Sequence, residues 1–280
     1  MLIEVLDEAL LHSVRSALAE DVGSGDITAA LIPADQHVEA TDICRETAVL
    51  CGMAWFNAVF SELDTAIIIN WAVRDGDNLT SEQELCTLSG PARAILTGER
   101  TALNFLQTLS ATATLSRRYA ECVTGLPVKI LDTRKTIPGL RDAQKYAVRI
   151  GGCHNHRVGL YDAGLIKENH IHAAGSIAQA VATATRNNPG KLIEVEVENS
   201  GQIEEALATA ATRLLLDNFT LEELAAAVER VNGRVELEAS GSFDLDNLRL
   251  AAQTGVDYIS IGALTKNIQA IDLSMRFESL

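Results

Sequence analysis

LIEVEVENSGQIEEALATAATRLLLDNFTLEELAAAVERVNGRVELEASGSFDLDNLRLAAQTGVDYISIG, residues 192–262, returns short β-rich runs at nearly even spacing. The runs end at Val197, Asp217, Ser240 and Gly262, and two more end upstream at Asp132 (VKILD) and Lys167 (GLIK). The last four intervals are 30, 20, 23 and 22 residues, with amphipathic helical segments at 201–211, 221–232 and 244–254. That cadence is one of repeated βα units, which require a parallel sheet, either open or closed into a barrel. No GxGxxG opens a helix here, so the dinucleotide fingerprint is missing and a barrel is the expected form. In either form ligands bind at the C-terminal edge of the strands. Each run ends there in polar or small residues: Asp132-Thr133-Arg134-Lys135, Lys167-Glu168-Asn169, Glu196 and Glu198, Asp217-Asn218, Ser240-Gly241-Ser242 and Ile261-Gly262-Ala263.

Upstream the rhythm differs. Val5 to Ala19 carries apolar residues at 6, 10, 14 and 18, a helical stripe broken at Gly23-Ser24-Gly25-Asp26, where Asp26 can cap a short following helix. Short β-type runs at 37–41, 48–52, 66–73 and 83–89 alternate with turn signals, and 53–63 reads as a helix. These point to an α+β domain with an antiparallel sheet. Pro91-Ala92 opens a long helical stretch running towards Cys122, with Glu99, Arg100, Asn104 and Gln107 on roughly one face.

Composition narrows the function classes. At 280 residues and 47% apolar content the chain can bury a large core, and only 4% aromatics favours Ala, Leu, Ile and Val packed between helices and a parallel sheet. A net charge of −15 argues against nucleic acid or an anionic membrane as partner. Five cysteines, odd in number and without a CxxC pair, read as reduced thiols of a cytoplasmic protein. No basic leader and no membrane-length apolar run are expected from the sequence. Against this acidic background, Arg100 to Lys167 holds eleven Lys or Arg and four acids, a balance of +7, so the other residues sum to −22. A cationic concentration of that kind focuses potential on small anions and points to a pocket for a multiply charged one.

Several residues are candidates for chemistry. Period two puts Glu194, Glu196 and Glu198 on one face of a strand. That face is either the solvated side of an edge strand or a set of carboxylates needing partners or metal. Asp217 ends the next run, so Glu196 and Asp217 on adjacent strands can share a hard cation such as Mg²⁺. Lys135 and Lys167 can serve as phosphate-binding point charges or as Schiff-base nucleophiles. Arg134 and Arg157 offer planar forks for carboxylates, and His156 beside Arg157 can donate to an anion. Zinc at Cys153 with the neighbouring histidines lacks the usual ligand spacing. The segments Ser240-Gly241-Ser242 and Ile261-Gly262-Ala263 can present backbone N–H groups to a phosphate at the last two strands.

ERTALNFLQTLSATAT (99–114), LDTRKTIPGLR (131–141), KYAVRIGGCHNHRVGLYD (145–162), LIKENHI (165–171), EVEVEN (194–199) and LLLDN (214–218) together resemble the quinolinate phosphoribosyltransferase family. The likeness runs from about Ala19 to the C-terminus. It implies the type II phosphoribosyltransferase architecture: an N-terminal α+β sandwich domain, 1–110, on which 266–280 packs, and an incomplete, TIM-like α/β barrel over 111–265. The resemblance implies an Mg²⁺-dependent reaction of quinolinate with phosphoribosyl pyrophosphate to nicotinate mononucleotide, pyrophosphate and CO₂ in NAD biosynthesis. It further implies a homodimer with shared sites. In that frame Arg134, His156 and Arg157 clamp the quinolinate carboxylates, and Arg100 reaches in from the partner subunit. Lys135 and Lys167, with Thr133 nearby, contact the donor and the pyridine acid. Glu196 and Asp217 face the metal and ribose hydroxyls, and the SGS and IGA segments hold the 5′-phosphate. Departures from the family pattern are Ile137, Cys153 and SGS at 240–242, none of which removes a charge. The competing readings are a family relative tied to metal transport, a Schiff-base barrel aldolase using Lys135 or Lys167, and a non-catalytic phosphate-binding module.

Overall fold

The computed structural model describes residues 2–277, with side chains from Glu8 onward, so the Leu6 side chain and residues 278–280 named above lie outside it. In chain order the elements are α1 (Leu2–Val22), β1 (His37–Cys44), β2 (Ala48–Val49), α2 (Met53–Leu63), β3 (Ile68–Trp71), β4 (Asn78–Leu79), β5 (Gln83–Pro91) and α3 (Ala92–Cys122). There follow β6 (Lys129–Leu131), α4 (Arg141–Ile150), β7 (Gly164–Ile166), α5 (Glu168–Ala174), α6 (Ile177–Asn187), β8 (Ile193–Val197), α7 (Ser200–Leu207) and β9 (Arg213–Asp217). The last are α8 (Leu221–Val231), β10 (Glu236–Ser240), α9 (Leu248–Gln253), β11 (Tyr258–Ser260), α10 (Ala263–Lys266) and β12 (Leu273–Phe277). The chain divides into two compact units.

One unit holds the residues up to Arg117, Thr136–Gly152, and Thr265 onward. Its four-stranded antiparallel sheet has the order β12-β1-β5-β3, and β2 pairs with β4 in a small second sheet. The alternating burial of β1 follows from its sequence, since Val38 and Ala40 face the core while Glu39 and Thr41 do not. α2 buries Trp55, Phe56, Val59 and Phe60 against it, with Phe56 set edge-on to both Phe60 and Trp71. Sequence reading missed α4, because Lys and Arg dominate 141–149 and drew attention to charge; its helix-forming signal is the apolar pair Ala143 and Ala147, which joins this unit's core. Thr136–Gly152 accordingly clusters with this unit, although it lies inside the 111–265 range expected for the barrel.

The other unit, Arg118–Lys135 with Cys153–Leu264, contains a six-stranded sheet of order β6-β11-β10-β9-β8-β7 in which every paired neighbour is parallel. β7 to β11 lie in chain order and β6 sits beyond β11. That is the cyclic order of a barrel left open between its first two strands, with no reversal of the kind that marks a doubly wound sheet. On its other edge β6 makes one parallel bridge, Leu131 to His154, so the 153–157 segment lies against the opening. The barrel strands are buried in runs of Val, Leu and Ala. Helices close with ordinary caps: Thr220 and Glu223 form a capping box on α8, and Asn199 accepts two N–H groups at the start of α7.

Close packing of α3 against the end of α4 depends on Gly151. A Cβ there would lie 2.4 Å from Ser116 Cβ and 2.5 Å from the Ala113 carbonyl oxygen. Gly151→Ala is expected to destabilise the protein by about 1–3 kcal/mol through overpacking. Urea unfolding checks this; an unchanged midpoint would show that the two helices separate without cost.

Candidate active site

All but three of the site residues expected from the sequence follow the C-terminal ends of the parallel strands. Thr133, Arg134 and Lys135 follow β6, Lys167 follows β7, Glu196 and Asp217 sit at the ends of β8 and β9, Ser240-Gly241-Ser242 ends β10, and Ile261-Gly262-Ala263 follows β11. His156 and Arg157 come from the segment bridged to β6. Arg100 is exposed on α3, in the other compact unit.

The HNHR segment is fastened by a residue the sequence reading treated only as a strand end. Asp132 is fully buried and accepts hydrogen bonds from Asn155 Nδ2 at 2.6 Å and the His156 N–H at 2.9 Å. The two backbones also pair, with Asp132 N–H donating to the His154 carbonyl and His154 N–H to that of Ile130. Cys153 is buried here, and burial together with the nearby Asp132 charge pushes its thiol up to about 12. It is not a reactive thiolate, and the one ligand trio among the described residues does not include it.

Inside the barrel His156 meets two carboxylates. Its Nε2 lies 2.9 Å from Glu194 Oε2 on β8 and 3.3 Å from Glu238 Oε2 on β10. Both glutamates are fully buried. Burial alone pulls the imidazole down, but the hydrogen bonds and charges of the two glutamates outweigh it and raise His156 to about 9. Glu194 is pushed up to about 7 by burial and by the Glu238 charge, so the pair shares its ionisation. Below it, Arg213 Nη1 stands 3.6 Å from Glu238, while Arg213 Nη2 bonds Glu236 at 2.8 Å. The three groups His156, Glu194 and Glu238 place one potential ligand atom each within 4.8 Å of one another, and no other such trio occurs among the described residues. The sequence signal for Glu238 was available: Glu236, Glu238 and Ser240 alternate as Glu194, Glu196 and Glu198 do. The solvated-edge reading of that glutamate face fails, because β8 lies between β7 and β9.

Around the rim, Lys167 Nζ donates to Glu196 Oε2 at 2.5 Å, and the lysine side chain remains about half exposed at 47%. Asp217 accepts from the Nδ2 of Asn218, whose φ of 57° turns the chain out of β9. Arg157 donates to the Ala163 carbonyl, and burial together with the Arg134 charge lowers its pKa, so these guanidiniums stand within electrostatic reach of each other. The Lys135 stem lies on Gly262, where a Cβ would come within 3.0 Å of Lys135 Cδ. Gly262 leads directly into α10, whereas five residues separate Ser242 from the start of α9. The edge thus joins guanidinium, imidazolium and ammonium groups to two partly exposed carboxylates. That donor set suits a small polyanion together with a hard cation.

Comparison with known proteins agrees with this architecture. The family description "Quinolinate phosphoribosyl transferase, N-terminal domain" matches residues 26–110, and "Quinolinate phosphoribosyl transferase, C-terminal domain" matches 112–276. A probable nicotinate-nucleotide pyrophosphorylase [carboxylating] of Bacillus subtilis is 41% identical over 258 residues, covering 91% of this chain and 89% of that protein. Its counterpart in Synechocystis is 40% identical over 263 residues, covering 92% and 89%. The solved nicotinate-nucleotide pyrophosphorylase from Francisella tularensis superposes with a TM-score of 0.91 at 46% identity, over 97% of this chain and 96% of that one. With both domain descriptions matched in order and the barrel, its open edge and its cationic rim in place, the chain belongs to the quinolinate phosphoribosyltransferase family.

Proposed function

We propose that this chain is the carboxylating nicotinate-nucleotide pyrophosphorylase: it transfers phosphoribose from phosphoribosyl pyrophosphate to quinolinate, releasing pyrophosphate and CO₂ and leaving nicotinate mononucleotide for NAD biosynthesis. The observation that carries the reading is the convergence of Arg134, His156, Arg157, Lys135 and Lys167 on one edge of an open parallel barrel in a member of this family. Two guanidiniums and an imidazolium match a pyridine dicarboxylate in charge and geometry. Held by its carboxylates, the ring presents its nitrogen to C1 of the ribose, and proximity replaces a bimolecular encounter. The N–C1 bond forms as the C1–O bond to pyrophosphate breaks. Lys135 and Lys167 supply positive charge for the phosphate oxygens, and Glu196 and Asp217 stand where positive charge develops on the ribose. The ribosylated ring is cationic at nitrogen, so it accepts the electron pair released as the 2-carboxylate leaves as CO₂, and C2 then takes a proton.

Glu196 and Asp217 fit Mg²⁺: they are oxygen donors on adjacent strands, neither is fully buried, and two carboxylates with substrate phosphates are an ordinary set for this ion. When bound, the ion supplies further charge neutralisation of the departing pyrophosphate. The aldolase reading loses support, since Lys167 is engaged by a carboxylate and Lys135 is exposed, and neither occupies the apolar pocket that activates a Schiff-base lysine. We also propose the homodimer, with exposed Arg100 completing the partner subunit's site, and a cytoplasmic location; no described helix is long and apolar enough to cross a membrane.

Release of CO₂ and pyrophosphate from quinolinate and phosphoribosyl pyrophosphate with Mg²⁺ is the direct test; absence of both products from folded protein overturns the assignment. Arg134→Ala should raise KM for quinolinate by about 30-fold or more, the cost of one lost charged partner at 2–5 kcal/mol, while KM for the phosphoribosyl donor changes little. Substituting both Glu196 and Asp217 by Ala should abolish turnover together with its Mg²⁺ response, and a retained Mg²⁺ response would remove them as ligands. Arg100→Ala and Lys135→Ala homodimers should each be inactive, and mixed dimers should regain activity from one intact site. No regain in demonstrated heterodimers would refute the shared site.

A further inference from the structure

Nothing in the proposed reaction uses Glu194 or Glu238, yet both are fully buried in the barrel and both face one ring nitrogen of His156. Three of their four carboxylate oxygens, Glu194 Oε1 and both of Glu238, have no hydrogen-bond partner. Two carboxyls so placed are costly unless a cation sits with them. Structural economy would replace them by apolar residues, so their presence asks for a role.

We propose that Glu194 and Glu238 are positioning residues which grip Nε2 of His156 between them and keep the imidazole doubly protonated, so that its Nδ1–H donates to a carboxylate of the pyridine acid. The inference rests on the quinolinate reading above. A neutral imidazole that donated Nε2–H to the glutamates would turn an Nδ1 lone pair toward the substrate and repel a carboxylate. An imidazolium donates at both nitrogens. The pair therefore converts an ambivalent side chain into an obligate cation on the substrate's side.

The surroundings agree in sign. Facing His156 are the carboxylates Glu194 from β8 and Glu238 from β10, and Asp132, at the end of β6, accepts its backbone N–H. Opposing them are Arg213 from β9, 3.6 Å from Glu238, and Arg157, the next residue in the chain. Ser260 from β11 is the neutral group beside Glu238, its hydroxyl donating to the Ala239 carbonyl. Arg213 is already engaged by Glu236, which leaves the His156 side of the pair dominated by negative charge. The direction of the His156 pKa follows from this geometry, with the two glutamates outweighing burial.

Long-range ¹H–¹⁵N spectra of ¹⁵N-histidine-labelled protein test the state of the ring directly, with His156 assigned by its loss in His156→Asn. At about pH 8, above the unperturbed value near 6.5, the wild type should show His156 as imidazolium, and Glu238→Gln should show it neutral. A neutral ring in the wild type overturns the proposal without reference to any substrate, and turnover failing with quinolinate leaves this measurement intact, so the two readings fail separately. Benzene-1,2-dicarboxylate, the carbocyclic isostere of the acid, then serves as a binding probe in calorimetry. In Glu238→Gln its alkaline loss of affinity should move down by about 1–3 pH units, weakening binding about tenfold per unit near pH 8 while leaving affinity at pH 6 nearly unchanged. Equal weakening at every pH would mean that Glu238 merely supports the barrel. Zn²⁺ or Mn²⁺ that displaces the ring proton and stays bound through gel filtration would overturn the reading in favour of a metal centre.

Discussion

The contact on which this barrel turns is the one between His156 and its two buried glutamates. A parallel barrel has an interior that must be filled, and in most such interiors branched apolar side chains fill it. Here Glu194, Glu238 and Arg213 set charge among buried Val, Leu and Ala. Ordered along the strands, the interior alternates in sign: His156, then Glu194 and Glu238, then Arg213, then Glu236, with the Arg213 guanidinium 4.0 Å from the Tyr258 ring centroid and the Tyr258 hydroxyl donating to Glu236. Breaking a member of the buried part of this set, His156, Glu194 or Glu238, leaves the next charge uncompensated, at a cost of about 3–5 kcal/mol, whereas Glu236 is exposed. The column therefore holds its topmost member, the one nearest the open edge, in a fixed charge state. Asp42 on β1 shows the alternative. It is equally buried, and burial together with the Glu99 charge pushes its carboxyl up to about 7, towards the neutral form. The lone acid is tolerated by protonation, the pair by a shared ionisation together with a cation.

Strand alternation then sorts the remaining carboxylates. Glu194 and Glu196 point to the same side of β8, two residues apart, so the first lies deep with His156 and the second reaches the rim and meets Lys167. Depth along a strand, rather than residue type, separates the glutamate held against His156 from the one paired with Lys167.

That distinction marks how far the sequence could be read. The βα cadence from Leu192 to Gly262, with polar residues at each run's end, was enough for a parallel barrel and for the placement of Thr133 to Lys135, Lys167, Glu196 and Asp217 on one edge, because period and chain order determine which residues end strands. Charge counting pointed to the same edge, where Arg134, Lys135 and Lys167 follow the strands. What it did not show was vertical: whether a glutamate sits at the rim or in the core depends on strand length and stagger, which period two leaves open. Glu238 was passed over within VELEAS on that account, and Asp132 was read as the end of a β-run although its buried carboxylate fastens the NHR segment. α4 was hidden differently: its three basic residues drew attention to charge, while Ala143, Tyr146, Ala147 and Ile150 carry the helical face that meets the core.

An acidic protein that binds a dianion has to solve a problem of sign. Long-range attraction is unavailable at a net charge of −15, so affinity must come from charges close to the ligand and shielded from the rest by the Debye length of about 8–10 Å. In the proposed site, Arg134, Arg157 and His156 are packed together at the cost of mutual repulsion, visible in the lowered pKa of Arg157, where burial is the larger cause and Arg134 the next. Glu194 and Glu238 offset part of that repulsion from behind, on the side away from the ligand. On the proposed reading a dicarboxylate relieves what remains of that repulsion, and a monoanion or neutral ring relieves less of it and binds correspondingly less well.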